Sequence, residues 1–317
     1  MSPPGLVVVR PGFHTLVEDL GRIGYYRQGM TTGGPADLLS FLWANRLCGN
    51  RGNTTALEVI IGGLEVQATA DTQVAVTGAD IHLCINGRGR ETWRSHNLRA
   101  GDRLQLGHAR RGVRCYLAVR GGLGVKPMFA STATVVREQL GGLNGGPLQA
   151  GDILPITPCR GTPDFGAPPP VSSPLHSSAP LRAVPGWQAR ELPRTLKRDF
   201  FGRGFVLSGD CNRMGYRLTG EPLADCHLVP QTLLSEGLVP GAIQIPPQGL
   251  PIIMHVDHQT IGGYPKIATL AAVDLWRLAQ LPAHSPVAFA PITAAAAAAL
   301  LRAALREFER TSAIALG

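Results

Sequence analysis

Between Leu6 and Ile156 the chain repeats short runs of Val, Ile, Leu and Thr, at 57–61, 73–77, 81–85, 103–106 and 113–119, punctuated by Gly, Asn and Asp. Runs of this kind bounded by turn residues read as strands, and many in succession read as a barrel or sandwich. One helix is predicted among them. Pro35 suits a first helical position, Asp37 then falls in the first turn where the dipole favours an anion, and Gly49-Asn50 supplies the stop. Leu38, Leu39, Leu42 and Leu47 are expected to face the core from it.

The pattern breaks at 162–180, where Pro and Ser replace apolar periodicity, as in an extended linker. The resulting division is a β-rich lobe over 1–161, a linker over 162–183 and a second lobe over 184–317. Strands resume at 204–207, 242–245 and 251–256. A helix is predicted from about Lys266 to Leu281, stopped by Pro282 and buried through Leu270, Val273, Leu278 and Leu281. The Ala-rich tail 293–310 predicts a last helix, capped by Thr293, with Leu301, Leu305 and Phe308 on one side.

Composition agrees with a mainly β chain carrying a few helices: 39 Gly and 26 Pro suit tight turns, and 317 residues exceed what one hydrophobic core usually serves, which favours two lobes. Met1 to Gly5 shows no cationic start before an apolar core, and no later stretch is apolar for long enough to span a bilayer, so a cytoplasmic protein without a membrane segment is expected. The six cysteines form no C-x-x-C pair, which signals neither a zinc site nor a disulfide framework; they are expected to be reduced and mostly buried. A net charge of +8 raises nucleic acid as a partner, but the arginines are scattered and no binding module is recognisable, so none is expected. Only Lys126, Lys197 and Lys266 are lysines.

The densest chemistry lies at 257–266, Asp-His-Gln-Thr-Ile-Gly-Gly-Tyr-Pro-Lys, read as a strand end passing through a Gly-Gly turn into a helix that starts at Pro265. Free amides at such a start, with Lys266 in the first turn, would make an oxyanion site; the alternative is a surface lysine on a capped helix. Candidate contacts around it are Gln259, Gly262, Gly263 and Tyr264. His255, Asp257 and His258 suggest metal ligands, but strand alternation sends His258 to the opposite face from the other two, and no metal site is expected. Arg213 could clamp a carboxylate bidentately, while Asn212 could contact a ligand or hold its own turn. Cys211 lacks an assignable His and is not expected to act as a nucleophile. Glu236 reads as a general base or a turn cap, with Gln244 on the strand that follows. No phosphate loop, nucleophile elbow, dinucleotide fingerprint or Met-Lys-Met biotin-carrier sequence is present.

Several blocks, read together, carry a resemblance: Pro11-Gly12-Phe13-His14-Thr15, residues 18–25 and 44–50, Thr77-Gly78-Ala79-Asp80, residues 212–218, Ser235-Glu236-Gly237, and Gly262-Gly263-Tyr264-Pro265-Lys266-Ile267-Ala268. They resemble the family of 5-oxoprolinase C-type subunits, also called the biotin-dependent carboxyltransferase family, allophanate hydrolase subunit 2 or the KipA-like proteins. The resemblance implies a cyclophilin-like β-barrel architecture and a hetero-oligomer. In it, a B-type subunit related to the Kip inhibitor and an A-type subunit join this chain in the ATP-dependent opening of 5-oxoproline to glutamate. ATP would be bound mainly with the partner subunits, and biotin would not be attached to this chain.

Two other branches imply alternatives: the carboxyltransferase part of a biotin-dependent urea or amide carboxylase, and a non-catalytic regulator that binds a kinase-inhibitor protein. The sequence departs from the family at Gly33-Gly34-Pro35-Ala36-Asp37, which lacks a Ser and a Met usual there, and at Cys211, where Ser is common. Within this reading Lys266 stabilises a developing oxyanion, Arg213 holds the substrate carboxylate, Asp257 or Glu236 handles protons, and Asp37 contacts substrate.

Overall fold

The computed structural model describes residues 3–160, 163–169, 179–230 and 233–316. They form two compact units: Met1–Gly24, Gly33–Leu175 and Phe308–Gly317 in the first, Tyr25–Thr32 and His176–Glu307 in the second. Among the described residues, both the stretch from residue 3 and the stretch 308–316 thus belong to the first unit, whereas the sequence reading places 308–317 in the second lobe.

In the first unit, the predicted runs 73–77 and 81–85 merge into one strand, Thr72–Ile85, and the runs 103–106 and 113–119 merge into Arg103–Val119. These two strands pair antiparallel along nearly their whole length, with register shifts between Gly78 and Asp80, Asp80 and Ile81, and Ile81 and Leu83. Gly78 makes the first shift possible: its φ is +94°, and a Cβ there would lie 2.5 Å from the Arg114 carbonyl oxygen. A β-bulge of this kind bends a strand without ending it, so local turn residues inside 78–80 do not terminate the element. The sheet continues from His14–Glu18 through Ala56–Ile60, Arg103–Val119, Leu64–Ala68 and Gly5–Pro11 to Ile153–Pro155, nine strands in all among the described residues. Its apolar face closes on Leu6, Val8, Leu57, Val59, Val74, Val76, Leu83, Leu104 and Leu117, all buried.

Helix α1 spans Leu38–Leu47, three residues later than the Pro35 start its sequence signals suggest: Asp37 is the N-cap, with extended backbone, and accepts from the Ser40 amide at 3.2 Å and the Ser40 hydroxyl at 2.7 Å. An N-cap carboxylate satisfies amides that have no partner within the helix. Leu39 and Leu47 are buried as expected, together with Phe41, Trp43 and Ala44, while Leu38 and Leu42 stay half-buried. Inside the predicted linker, Asp164–Gly166 is a strand paired with Ile314–Leu316; residues 162 and 170–178 of that segment lie outside the described residues. Pairing with a segment 150 residues away is invisible to local composition.

The second unit is a closed seven-stranded barrel, ordered Leu181–Pro185, Lys266–Leu270, Ala242–Gln244, Ile252–Met254, Gly215–Thr219, Gly204–Leu207 and Pro286–Pro291. The mainly β architecture and the barrel implied by the resemblance are thus both present. Helix α2, Arg194–Gly202, brings Leu196 and Phe200 into the core, where Phe200 stacks on Phe289 at 4.6 Å between ring centres.

The predicted helix 266–281 is divided. Residues Lys266–Leu270 are a barrel strand and only Ala272–Ala279 is helix α3. The strand pairs on both edges, with Leu181–Pro185 and with Ala242–Gln244, which holds it extended in the barrel. Ile267 and Thr269 are β-branched and fit that extended run, and tertiary pairing outweighs the helical spacing of the leucines. Helix α4, Ala294–Arg310, starts as predicted: the Thr293 hydroxyl accepts from the Ala296 amide at 3.2 Å. At the far end of α4, Phe308 packs edge-on against Trp43 at 5.3 Å and lies 3.5 Å from the Arg46 guanidinium.

Among the described residues no helix is long and apolar enough to cross a membrane. All six cysteines are free; Cys48 and Cys115 are buried and the other four half-buried.

Candidate active site

Lys266 begins the barrel strand opposite Gln244, at a bulge between Ile243 and Gln244. Since it stands at the start of a strand, the oxyanion site at a helix start expected from the sequence is not formed. What the structure builds instead is a ring of hydrogen bonds. The Lys266 ammonium pairs with Glu236 Oε1, the Gln188 side-chain amide donates to the same oxygen at 2.5 Å, and Gln188 Oε1 accepts from the Lys266 backbone N–H at 2.7 Å. Gln188 is buried, while the side chains of Lys266 and Glu236 keep 15% and 36% of their exposure. Charge-assisted bonds to one carboxylate oxygen fix the ion pair and leave Oε2 with no hydrogen bond among the described residues.

The short strands Glu236–Gly237 and Ile261–Gly262 pair antiparallel and hold Glu236 across from Gly262. Gly262 has to be small: a Cβ there would sit 2.8 Å from both Gln244 Nε2 and Leu238 Cδ1. Gly263 is nearly as confined, at 3.0 Å from the Leu233 carbonyl oxygen. Buried Gln244 donates to the Tyr264 carbonyl at 3.4 Å, and the Tyr264 side chain is exposed. The Tyr26 hydroxyl is within hydrogen-bond distance of the Leu238 carbonyl and of the Thr260 carbonyl at 2.6 Å, tying together the two segments that carry this strand pair. Burial raises the Tyr26 phenol above its usual pKa, against the opposing pull of the Leu238 bond, which keeps it a donor.

Arg213 and Asp257 form a buried fork-to-fork pair, at 2.8 Å from Nε and 2.9 Å from Nη2. The guanidinium that the sequence reading offers to a substrate carboxylate therefore has an internal carboxylate in its fork. Asn212 holds its own turn, accepting from the Met214 amide at 2.8 Å. His258 Nδ1 lies 2.5 Å from the Gln259 carbonyl oxygen, which orients both residues. Asp37, the N-cap of α1, belongs to the first unit. Among the described residues no group of three or more His, Cys, Asp or Glu is placed to hold a metal ion.

The structure thus gathers Lys266, Glu236, Gln244, Gly262, Gly263 and Tyr264, and it adds Gln188 and Tyr26, which sequence reading missed. Both lie far along the chain from Lys266, and neither stands in a motif that would single it out.

Residues 28–291 match the family described as carboxyltransferase domain, subdomain A and B. The chain belongs to this carboxyltransferase-domain family. Similar proteins include the C-type subunit of 5-oxoprolinase from Escherichia coli, 37% identical over 90% of this chain and 90% of that one, and its namesake from Haemophilus influenzae, 33% identical over 90% and 91%. Among solved structures, the K. lactis urea amidolyase superposes on the whole chain with a TM-score of 0.85 at 27% identity; this chain spans 20% of its length. The carboxyltransferase-domain match covers every residue of the Lys266 cluster except Tyr26, which lies two positions before it begins.

Proposed function

We propose that this chain is the C-type subunit of an ATP-dependent 5-oxoprolinase, acting with the A-type and B-type subunits to open a cyclic amide. The observation that carries the reading is the Lys266–Glu236–Gln188 ring inside a chain that matches proteins named as C-type subunits of 5-oxoprolinase over nearly their full length. A primary ammonium fixed in a half-buried position is suited to the charge that develops on a carbonyl oxygen under attack. Glu236 uses one oxygen to hold Lys266, and the other is available to take a proton from the attacking water and return it to the leaving nitrogen. Gln188 keeps both groups registered to the barrel. Asp257 stays the partner of Arg213 in this reading, so proton handling falls to Glu236. Gln244, opposite Lys266, and Tyr264, whose carbonyl accepts from Gln244, adjoin the ring, and Gln259 is kept as a substrate contact on the same segment. ATP belongs to the assembled complex, held mainly with the partner subunits, and biotin is not attached to this chain.

The test is reconstitution. The purified chain alone is expected to show no ATP-dependent release of glutamate from 5-oxoproline and to gain it on mixing with the A-type and B-type subunits. Turnover by the isolated chain, or none in the mixture, rejects the assignment. The likeness to K. lactis urea amidolyase over the whole chain favours a second reading, a carboxyltransferase that meets carboxybiotin on another polypeptide. Biotin-dependent carboxylation of urea or an amide by the same mixture would select it.

A further inference from the structure

In the first unit the strand Thr72–Ile85 turns through Asn86 and Gly87, at φ +51° and +73°, into Arg88–Arg90. Two consecutive left-handed residues make the tight hairpin that Asn-Gly favours. Against this hairpin lies a cavity of about 720 Å³, walled in part by Arg88, Arg90, Arg94, His96 and Asn97. Its volume suits a small molecule, for which pockets run from roughly 300 to 1,000 Å³.

Three carboxylates share this wall, and two of them are engaged by neutral donors. Asp102 accepts from the Asn86 amide and from the Arg99 backbone N–H, both at 2.7 Å, and Asp164 accepts from the Asn97 amide at 3.0 Å. Glu91 is 81% exposed along its side chain. The cations are not matched in this way. Arg88 and Arg90 take part in none of the ion pairs formed among the described residues. Arg94 reaches Glu91 and Asp164 only at 3.7 and 3.9 Å, longer than a hydrogen bond, and its buried Nε has no hydrogen-bond partner. The His96 ring lies 2.8 Å from the Glu91 carbonyl; burial chiefly holds its pKa below the ordinary value, Arg94 and Arg90 lower it further, and the Glu91 carbonyl and Asp164 oppose them.

We propose that this cavity binds a small ligand bearing a dianionic oxyanion group, a phosphate ester or a dicarboxylate, through the guanidinium groups of Arg88, Arg90 and Arg94. Planar guanidinium forks bind such oxygens bidentately, and several around one cavity give both affinity and orientation. The site uses residues of the first unit alone and is independent of the role assigned to Lys266.

Isothermal titration of the whole chain at low salt, where screening is weak, with glycerol 3-phosphate and separately with succinate, tests it. Saturable one-to-one binding of at least one is expected, weakened at least about tenfold in Arg88→Gln/Arg90→Gln, the loss of one good charged hydrogen-bond pair. Those two side chains are exposed, so the double variant is expected to fold; Arg94→Gln should weaken binding similarly. The pair Arg302→Gln/Arg306→Gln, exposed on α4, changes the charge equally and should bind as wild type. A response to the ester alone or the diacid alone assigns the ligand class. No saturable binding of either, or equal weakening in the α4 control, overturns the proposal.

Discussion

Glu58 and Glu236 each sit with a cation and a neutral donor, yet Glu58 is fully buried while more than a third of the Glu236 side chain meets solvent. Glu58 spends both oxygens inside the first unit. Oε2 accepts from the Tyr116 hydroxyl at 2.6 Å and the Ala36 amide at 2.9 Å, and Oε1 lies 3.4 Å from Arg114 Nε. Tyr116 also accepts from the Asp37 backbone N–H at 2.8 Å, so the cluster anchors the start of α1. Burial, reinforced by the charges of Glu58 and Asp37, holds the Tyr116 phenol well above its usual pKa and keeps its proton in place. Glu236 spends one oxygen on Lys266 and Gln188 and keeps the other. A carboxylate saturated by its own fold can only hold structure; one with a free oxygen beside a fixed ammonium can exchange protons with something that arrives.

The sharpest test of that contrast removes the buried acid. Glu58→Ala leaves Arg114 buried without this carboxylate and removes an acceptor from Tyr116, so a loss of about 3–5 kcal/mol in urea unfolding is expected. A loss under about 1 kcal/mol would show that the cluster is not an anchor. In the second unit the expected order of effects reverses. Lys266→Ala should lower turnover of the reconstituted enzyme by on the order of a hundredfold, the usual effect of losing one oxyanion donor, and change stability by less than about 1 kcal/mol at this half-buried strand position. Wild-type kinetics would return Lys266 to the role of a barrel-edge cation.

Gln188→Leu should act through the other two members of the ring, lowering kcat roughly tenfold with KM nearly unchanged. If instead it lowers the unfolding midpoint and leaves kcat intact, Gln188 supports the barrel and nothing more.

The smallest effect belongs to His96, in the first unit. Burial first, then Arg94 and Arg90, lower its pKa from the ordinary 6.5, while the Glu91 carbonyl and Asp164 oppose the shift. The unfolded chain therefore takes up the proton more readily, and the stability His96 contributes is present above pH 6.5 and lost as pH falls below it. Thermal midpoints compared at about pH 7.5 and about pH 5.5, which bracket the ordinary histidine range, should fall more steeply for the wild type than for His96→Gln. Parallel curves would refute this.

How far each region could be read from sequence follows the range of the interactions that built it. Where local pattern and tertiary environment agree, the local signals suffice: the strand Gly204–Leu207 matches its predicted run, α1 begins within about a turn of its signals, and Thr293 caps α4. The blocks around Glu236 and Lys266 also drew attention to the segments that now form the candidate site, because Gly-Gly-Tyr-Pro-Lys is unusual chemistry in any local context.

Tertiary structure decided the rest. Leucine spacing across 266–281 satisfies a helix, but two neighbouring strands claim the backbone of Lys266–Leu270, and six barrel partners outweigh a weak propensity. The two long strands of the first unit pass through their own turn residues because Gly78 bends where only a glycine fits. Arg213 found its carboxylate in Asp257, 44 residues on, rather than in a ligand. Gln188 reached Lys266 across 78 residues. Sequence by itself determined which residues carry charge, reactivity and turn geometry; which of those charges neutralise one another depended on distances that only the closed barrel and the folded sheet set.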